Sequence, residues 1–187
     1  VTDRVKRDTL VRGFYVPGTV RYYAEIEIPG VRMSLIDPIL KGVVSGTQGH
    51  ADVSLTLTGQ RRQARLAGAM DVRDFRTKVD YTQVSYLVPS ARITVENNRL
   101  SMFQVPVSDM LGNRGTMDFS LSLQHLSNIS YSLTIDPRQM LVLNTTQNDN
   151  DLFYGKVFAS GRATISGDKG GVRMNIMAAT ADNSAFY

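Results

Sequence analysis

Apolar residues and small hydroxyl residues alternate with a period of two along most of this chain. Ala51-Asp52-Val53-Ser54-Leu55-Thr56-Leu57-Thr58 is one such run, Met117-Asp118-Phe119-Ser120-Leu121-Ser122-Leu123 a second, and Ile129-Ser130-Tyr131-Ser132-Leu133-Thr134-Ile135 a third. Successive side chains of a strand point to opposite faces, so each run carries one apolar face and one Ser/Thr face. Turn signals fall at 46–49, 59–62, 96–98, 112–115 and 167–171. Strands of roughly 6 to 10 residues between such signals predict an all-β, antiparallel meander. Asn97-Asn98 suits the positive φ angles of a tight two-residue hairpin.

The inward face is predicted from the alternation. It comprises Val53, Leu55 and Leu57; Leu66 and Met70; Ile93 and Val95; Phe119, Leu121 and Leu123; Tyr131, Leu133 and Ile135; Ile165; and Met174 and Ile176. Val72, Val157, Ala163 and Val172 continue the same pattern. A one-residue slip would expose a whole apolar face, so the pattern fixes register. The first forty or so residues are less regular, which sets an entry segment at 1–42 apart from a strand-rich region at 43–187 within one unit. Turns are expected at 14–18 and 28–30, with a strand from Tyr22 to Ile28. Leu35, Ile36, Ile39 and Leu40 fall at helical spacing before Gly42, predicting at most one short helix near 34–41. A weak internal repeat relates 49–70 to 161–179, with Ser166-Gly167 standing where Thr58-Gly59 stood. A recurring hairpin unit argues for an elongated array that grows by addition.

Composition narrows the functional classes. Apolar residues are 42% and charged residues 20% of 187, neither a disordered nor a membrane-spanning balance. No apolar run approaches the roughly 20 residues of a spanning helix. The opening Val1-Thr2-Asp3-Arg4 has neither an initiator Met nor an apolar leader, as expected of a piece of a longer protein. The net charge of +4 gathers modestly at Arg4, Lys6, Arg7 and Arg12 and at Arg61, Arg62 and Arg65. Nucleic-acid binding would want a denser stripe with aromatic platforms, so no nucleic-acid partner is expected. The absence of cysteine excludes disulfides and thiolate chemistry.

Catalytic and metal signals are poor. His50 and His125 lie in or beside strand–turn segments with no carboxylate–serine grouping nearby in sequence, and no HExxH spacing occurs. The acidic stretch at 148–151 lacks the Gly and distal Glu of a calcium loop and reads as a polar loop. The Gly-rich stretch at 167–171 sits between two strands and reads as a hairpin turn. Asn128 and Asn144 head glycosylation sequons, a pattern that arises often by chance. Eight Met, including Met70, Met102, Met117 and Met174 at or near inward positions, supply either core filling or a soft lining for apolar guests. No enzyme, cofactor or metal is expected.

Three stretches together carry a family resemblance. The first is Leu35-Ile36-Asp37-Pro38-Ile39-Leu40-Lys41-Gly42-Val43-Val44-Ser45, followed by Leu55-Thr56-Leu57-Thr58-Gly59. The second runs from Ile93-Thr94-Val95-Glu96-Asn97-Asn98 to Gly112-Asn113-Arg114-Gly115. The third, and most specific, is Leu141-Val142-Leu143-Asn144-Thr145-Thr146 with Asp149-Asn150-Asp151-Leu152-Phe153-Tyr154-Gly155-Lys156-Val157, closing on Ser184-Ala185-Phe186-Tyr187. Over 35–187 the chain resembles the C-terminal region of the translocation-and-assembly-module family, the TamB branch of the AsmA-like proteins, in its Bacteroidetes-type version. It departs at Gln60-Arg61-Arg62-Gln63, where the family often has a short Pro-containing turn.

The resemblance implies a long periplasmic protein anchored in the inner membrane and reaching the outer one. It implies a sheet curled into an open U-shaped trough (a β-taco) with an apolar interior. The implied roles are non-enzymatic: bridge-like phospholipid transport, or β-strand templating for outer-membrane barrels with an Omp85-type partner. The implied guests are phospholipid acyl chains and nascent β-barrel strands. An acyl chain of about 15 methylenes loses on the order of 12 kcal/mol on entering water, and an apolar trough removes most of that cost without directional contacts. Strand templating would use unpaired sheet edges instead. A closed structural core would use neither.

Overall fold

The computed structural model describes residues 9–16, 21–38, 41–60, 63–124, 128–149 and 154–187. Within them the chain forms β1 (Leu10–Val16), β2 (Arg21–Arg32), β3 (Val44–Gln60), β4 (Gln63–Val79), β5 (Val84–Glu96) and β6 (Arg99–Asp109). There follow β7 (Arg114–Gln124), β8 (Asn128–Arg138), β9 (Met140–Thr145), β10 (Gly155–Asp168), β11 (Gly171–Thr180) and β12 (Ala185–Phe186). All twelve belong to one sheet in the order β1-β2-β3-β4-β5-β6-β7-β8-β10-β11, with β9 and β12 both paired to β10. Every pairing is antiparallel. The sheet is open, not closed into a barrel: β1 and β11 stand at its two margins. This is the all-β meander that the alternation predicts, in a form consistent with a curled trough.

Several punctuation marks act differently from the expectation. The predicted helix shrinks to a 3-10 turn over Met33–Ile36, with turn residues at Asp37 and Pro38; Ile39 and Leu40 lie outside the described residues. The glycines at 46 and 49 do not end a strand but sit inside β3 with φ of 65° and 111°, where the register with β4 shifts. Gly30 likewise bulges within β2 instead of making a turn, and Phe14 lies within β1. A bulge bends the strand and raises its twist without breaking the ladder. The hairpin at Asn97 and Asn98 forms as predicted, with φ of 48° and 66°. Arg61, Arg62, His125 and Asn150 to Phe153 fall outside the described residues. The described strands of the entry segment, β1 and β2, join the same sheet as the rest.

Three further bulges occur at residues that are not glycine. Asp74 in β4, Gln104 in β6 and Gln139 between β8 and β9 have φ of 51°, 52° and 51°. Across Gln139, β8 and β9 form one interrupted strand that follows β10. Inward phase flips at these points: Val72 is buried, Arg73 and Asp74 are exposed, and Thr77 is buried again. In β6, Phe103 and Gln104 are exposed, whereas Val105 and Val107 are buried.

Beyond the bulges the sheet seals against itself. Met140 is fully buried with Val88, Val105 and Val107, and Val84 packs with Leu141 and Phe158. Strand β9 passes the tip of the β6–β7 hairpin and reaches the turn between β4 and β5, where the Asn144 N–H donates to the Thr82 carbonyl at 2.9 Å. Tyr86 Oη donates to the Leu141 carbonyl at 3.2 Å across the same seam. The dense core is therefore at one end of the strands, not beneath the whole sheet.

Candidate apolar face

Cross-strand partners share a face, so the register identifies which residues stand side by side. Val11, Ile26, Leu55, Gly68, Val95, Leu100, Leu121, Tyr131 and Gly167 are partners in sequence across nine strands, β1 to β8 and β10. Parallel to this row run Ile28, Val53, Met70 and Ile93, and Met102, Phe119, Leu133, Ile165 and Met174. Leu57 pairs with Leu66, Leu123 with Ile129, and Ile135 with Ala163 and thereby Ile176. All sixteen inward residues predicted from sequence thus lie on one face of one sheet.

The opposite face is polar along the neighbouring row. Glu27, Ser54, Ala69, Thr94, Ser101, Ser120, Ser132, Ser166 and Arg173 are successive partners. Ion pairs sit on this side too. Arg162 grips Asp136 through Nε–Oδ1 at 2.6 Å and Nη2–Oδ2 at 2.7 Å, and Arg92 Nη1 reaches both Asp71 oxygens at 2.9 Å. The guanidinium of Arg162 holds the Asp136 carboxyl below the usual carboxylate range.

Exposure separates this face from a sealed core. Of the sixteen residues only Val95 is buried; Met174 and Ile176 are 54% and 58% exposed, and the remainder are half-buried. Phe119, Leu121, Tyr131, Leu133 and Ile135 occupy the middle of the sheet, yet none reaches the burial of Met140. An apolar face left in this state keeps hydrocarbon accessible to solvent on both sides of the buried Val95, a feature that marks an interaction surface.

Two tyrosines shape the face at the hairpin ends. Tyr22 is the cross-strand partner of Gly59 and Tyr131 that of Gly167. A Cβ on Gly59 would stand 2.3 Å from the Tyr22 ring, and one on Gly167 2.6 Å from the Tyr131 ring. Each ring therefore lies across a glycine, an arrangement that covers bare backbone with an aromatic body. The two Tyr–Gly pairs give the internal repeat a structural meaning: β2-β3-β4 corresponds to β8-β10-β11.

The sequence reading missed part of the face and most of the core. Leu100 and Ile26 complete the long row; β6 offers only Leu100 and Met102 around one serine before its bulge, too short a run to read. Met140, Leu141 and Leu143 are buried, although Met140 follows a positive-φ glutamine that no composition signal marks. His50 lies exposed on β3. Among the described residues no group of three or more His, Cys, Asp or Glu converges as a metal site. No helix among them is long and apolar enough to cross a membrane.

Two titratable groups at the sealed end, Asp109 and Tyr86, are shifted by their surroundings and serve the fold. Burial pushes the Asp109 carboxyl up, but hydrogen bonds from the Leu141, Asn113 and Leu111 N–H groups and the Asn113 amide outweigh it, leaving the group below its ordinary value. Burial and the neighbouring Asp109 charge raise the Tyr86 phenol to about 12. No protein-family model, no curated protein and no solved structure matches this chain.

Proposed function

We propose that this chain is a section of a non-enzymatic lipid trough in outer-membrane biogenesis, shielding phospholipid acyl chains as they pass through the periplasm between inner and outer membranes. The observation that carries the reading is the apolar row across nine strands whose residues, Val95 apart, stay at least partly exposed instead of sealed. Each buried methylene is worth about 0.8 kcal/mol, so a hydrocarbon tail laid on such a band recovers much of its transfer cost without any fixed polar contact. The serine-rich opposite face keeps the same sheet hydrated. The resemblance to the TamB branch supports the compartment, the inner-membrane anchorage of the parent protein and an Omp85-type partner.

The test is photo-crosslinking of the chain to phospholipids bearing a photoreactive acyl chain. Leu55→Arg and Leu121→Arg place a charge in the long row and are expected to reduce crosslinking severalfold while circular dichroism remains that of the parent sheet. Undiminished crosslinking in either folded variant overturns the reading.

A further inference from the structure

The two ends of the strands are unlike. Away from the sealed core, the turns at 97–98 and 168–171 carry no large apolar residue. At the sealed end, the β6–β7 turn leaves Met110 and Leu111 52% and 59% exposed, and the β4–β5 turn exposes Tyr81. The Leu111 and Asn113 N–H groups both donate to the Asp109 carboxylate, and the Gly112 N–H donates to the Asp109 carbonyl at 3.2 Å. The tip thus has a fixed shape that holds two apolar side chains in water, beside a core that Met140 already fills. Adjacent apolar side chains presented in this way mark a surface that receives them.

The charge beside the tip has one sign. Arg114, the first residue of β7, stands directly opposite Arg138, the last of β8, and both are exposed. Like charges directly opposite destabilise a sheet. Elsewhere the outer face answers such a pair: Asp52 stands opposite Asp71, and Arg73 and Arg92 neutralise them. Nothing comparable meets the two arginines. Among the described residues no carboxylate is hydrogen-bonded to either, and Asp136, beside Arg138 on the same face, is gripped by Arg162. Ser108, the partner of Arg114 on β6, is uncharged. Near the β4–β5 turn the Lys78 charge is offset by Asp149, and Asp80 accepts from the Ser45 hydroxyl.

We propose that this end of the sheet docks on the surface of an anionic phospholipid bilayer, with Met110 and Leu111 entering the headgroup layer and Arg114 and Arg138 taking lipid phosphates between them. Apolar side chains next to guanidinium groups suit a layer that is phosphate above and hydrocarbon below. Tyr81, exposed at the same end, has an apolar body and a polar tip that suit the same depth. Two guanidinium groups forced together by the register gain most from anions that neutralise both, and phosphate oxygens match their forked donors. The contact lies at the strand ends and on the outer face, apart from the apolar band, and does not depend on what that band carries.

The experiment cosediments the chain with vesicles of phosphatidylcholine and phosphatidylglycerol in equal parts, and with vesicles of phosphatidylcholine alone. Binding is expected to the mixed vesicles and should fade as salt is added. Arg114→Gln and Arg138→Gln should each weaken it roughly fivefold, and Met110→Ser with Leu111→Ser should weaken it at least as much. All four positions are exposed, so circular dichroism should match that of the parent chain. Lys169→Gln removes the same charge from the opposite end and should leave binding unchanged. The chain has no cysteine, so Leu111→Cys or Lys169→Cys can carry a single environment-sensitive dye. A blue shift on mixed vesicles is expected at position 111 and not at 169. Equal binding to neutral vesicles, an equal loss in Lys169→Gln, or a dye shift at 169 in place of 111 overturns the proposal. So does displacement by glycerophosphate at matched ionic strength, which marks a site for soluble phosphate, or capture of an acidic peptide without vesicle binding, which marks a protein partner. Leu55→Arg and Leu121→Arg should leave vesicle binding intact. Its loss in those variants would move the contact to the apolar band and overturn the proposal, while lipid crosslinking is untouched by the changes at the tip, so the two readings fail separately.

Discussion

The backbone N–H of Leu141 donates to Oδ2 of Asp109 at 2.7 Å, joining positions 32 residues apart at the sealed end of the sheet. The other oxygen accepts the Leu111 and Asn113 N–H groups, both at 2.9 Å, while the Asn113 amide reaches Oδ2 at 2.8 Å. One carboxylate, only 3% exposed, thus closes the β6–β7 turn and pins β9 beside it. Four donors on a buried anion fit the strong end of hydrogen bonding.

Asp109→Asn should therefore cost about 2 kcal/mol of stability at neutral pH, because an amide NH₂ would face two N–H donors. Urea unfolding measures it. The pH dependence has a definite sign. The folded carboxyl titrates below the unfolded one, so its contribution is complete above the unfolded value and fades as pH falls through the folded value. The acid limb of stability should be shallower in Asp109→Asn than in the parent chain.

Truncations should divide the apolar residues into two groups. Met140→Ala empties a fully buried site and is expected to cost about 2–5 kcal/mol. Leu121→Ala removes a side chain that is only partly buried and leaves no sealed cavity, and should cost about 1 kcal/mol. Thermal unfolding of the two variants is the measurement. Equal losses would mean the face is as tightly packed as the core.

Glycines of the long row should also differ. Gly68 has a φ of 137°, and a Cβ there would meet the Ser54 carbonyl at 2.2 Å. Both conflicts involve backbone, so Gly68→Ala is expected to lose about 2 kcal/mol or more. At Gly167 the obstacle is the Tyr131 ring, a side chain that can rotate away. Gly167→Ala should cost less, with the change read in the near-ultraviolet tyrosine signal.

The alternation made the face legible and left the core hidden. Alternating hydroxyl and apolar runs in β3, β7 and β8 specify parity, and parity is all that register needs to place Val53, Phe119 and Leu133 on one face. Parity fails where a bulge inserts one residue. Gly46 and Gly49 advertise their φ through composition, yet they read equally well as a turn, and only pairing with β4 decides between the two. Asp74, Gln104 and Gln139 give no such notice, since a left-handed residue that is not glycine is selected by its tertiary surroundings. After each one the inward set changes phase, so Val88, Val105 and Met140 escape a pattern extrapolated along the strand. The apolar spacing at 35–40 reads as a helix, whereas the described residues there hold only a 3-10 turn over Met33–Ile36.

Cohesion and accessibility occupy different stretches of the same strands. Tightly packed side chains around Met140 and Val84 form the most resistant unit, so local opening should begin at the β1 and β11 margins and reach that unit last. Drift in the side chains that line the band can then proceed with little penalty in folding, leaving such a molecule free to alter what it greets while its keystone stays unchanged.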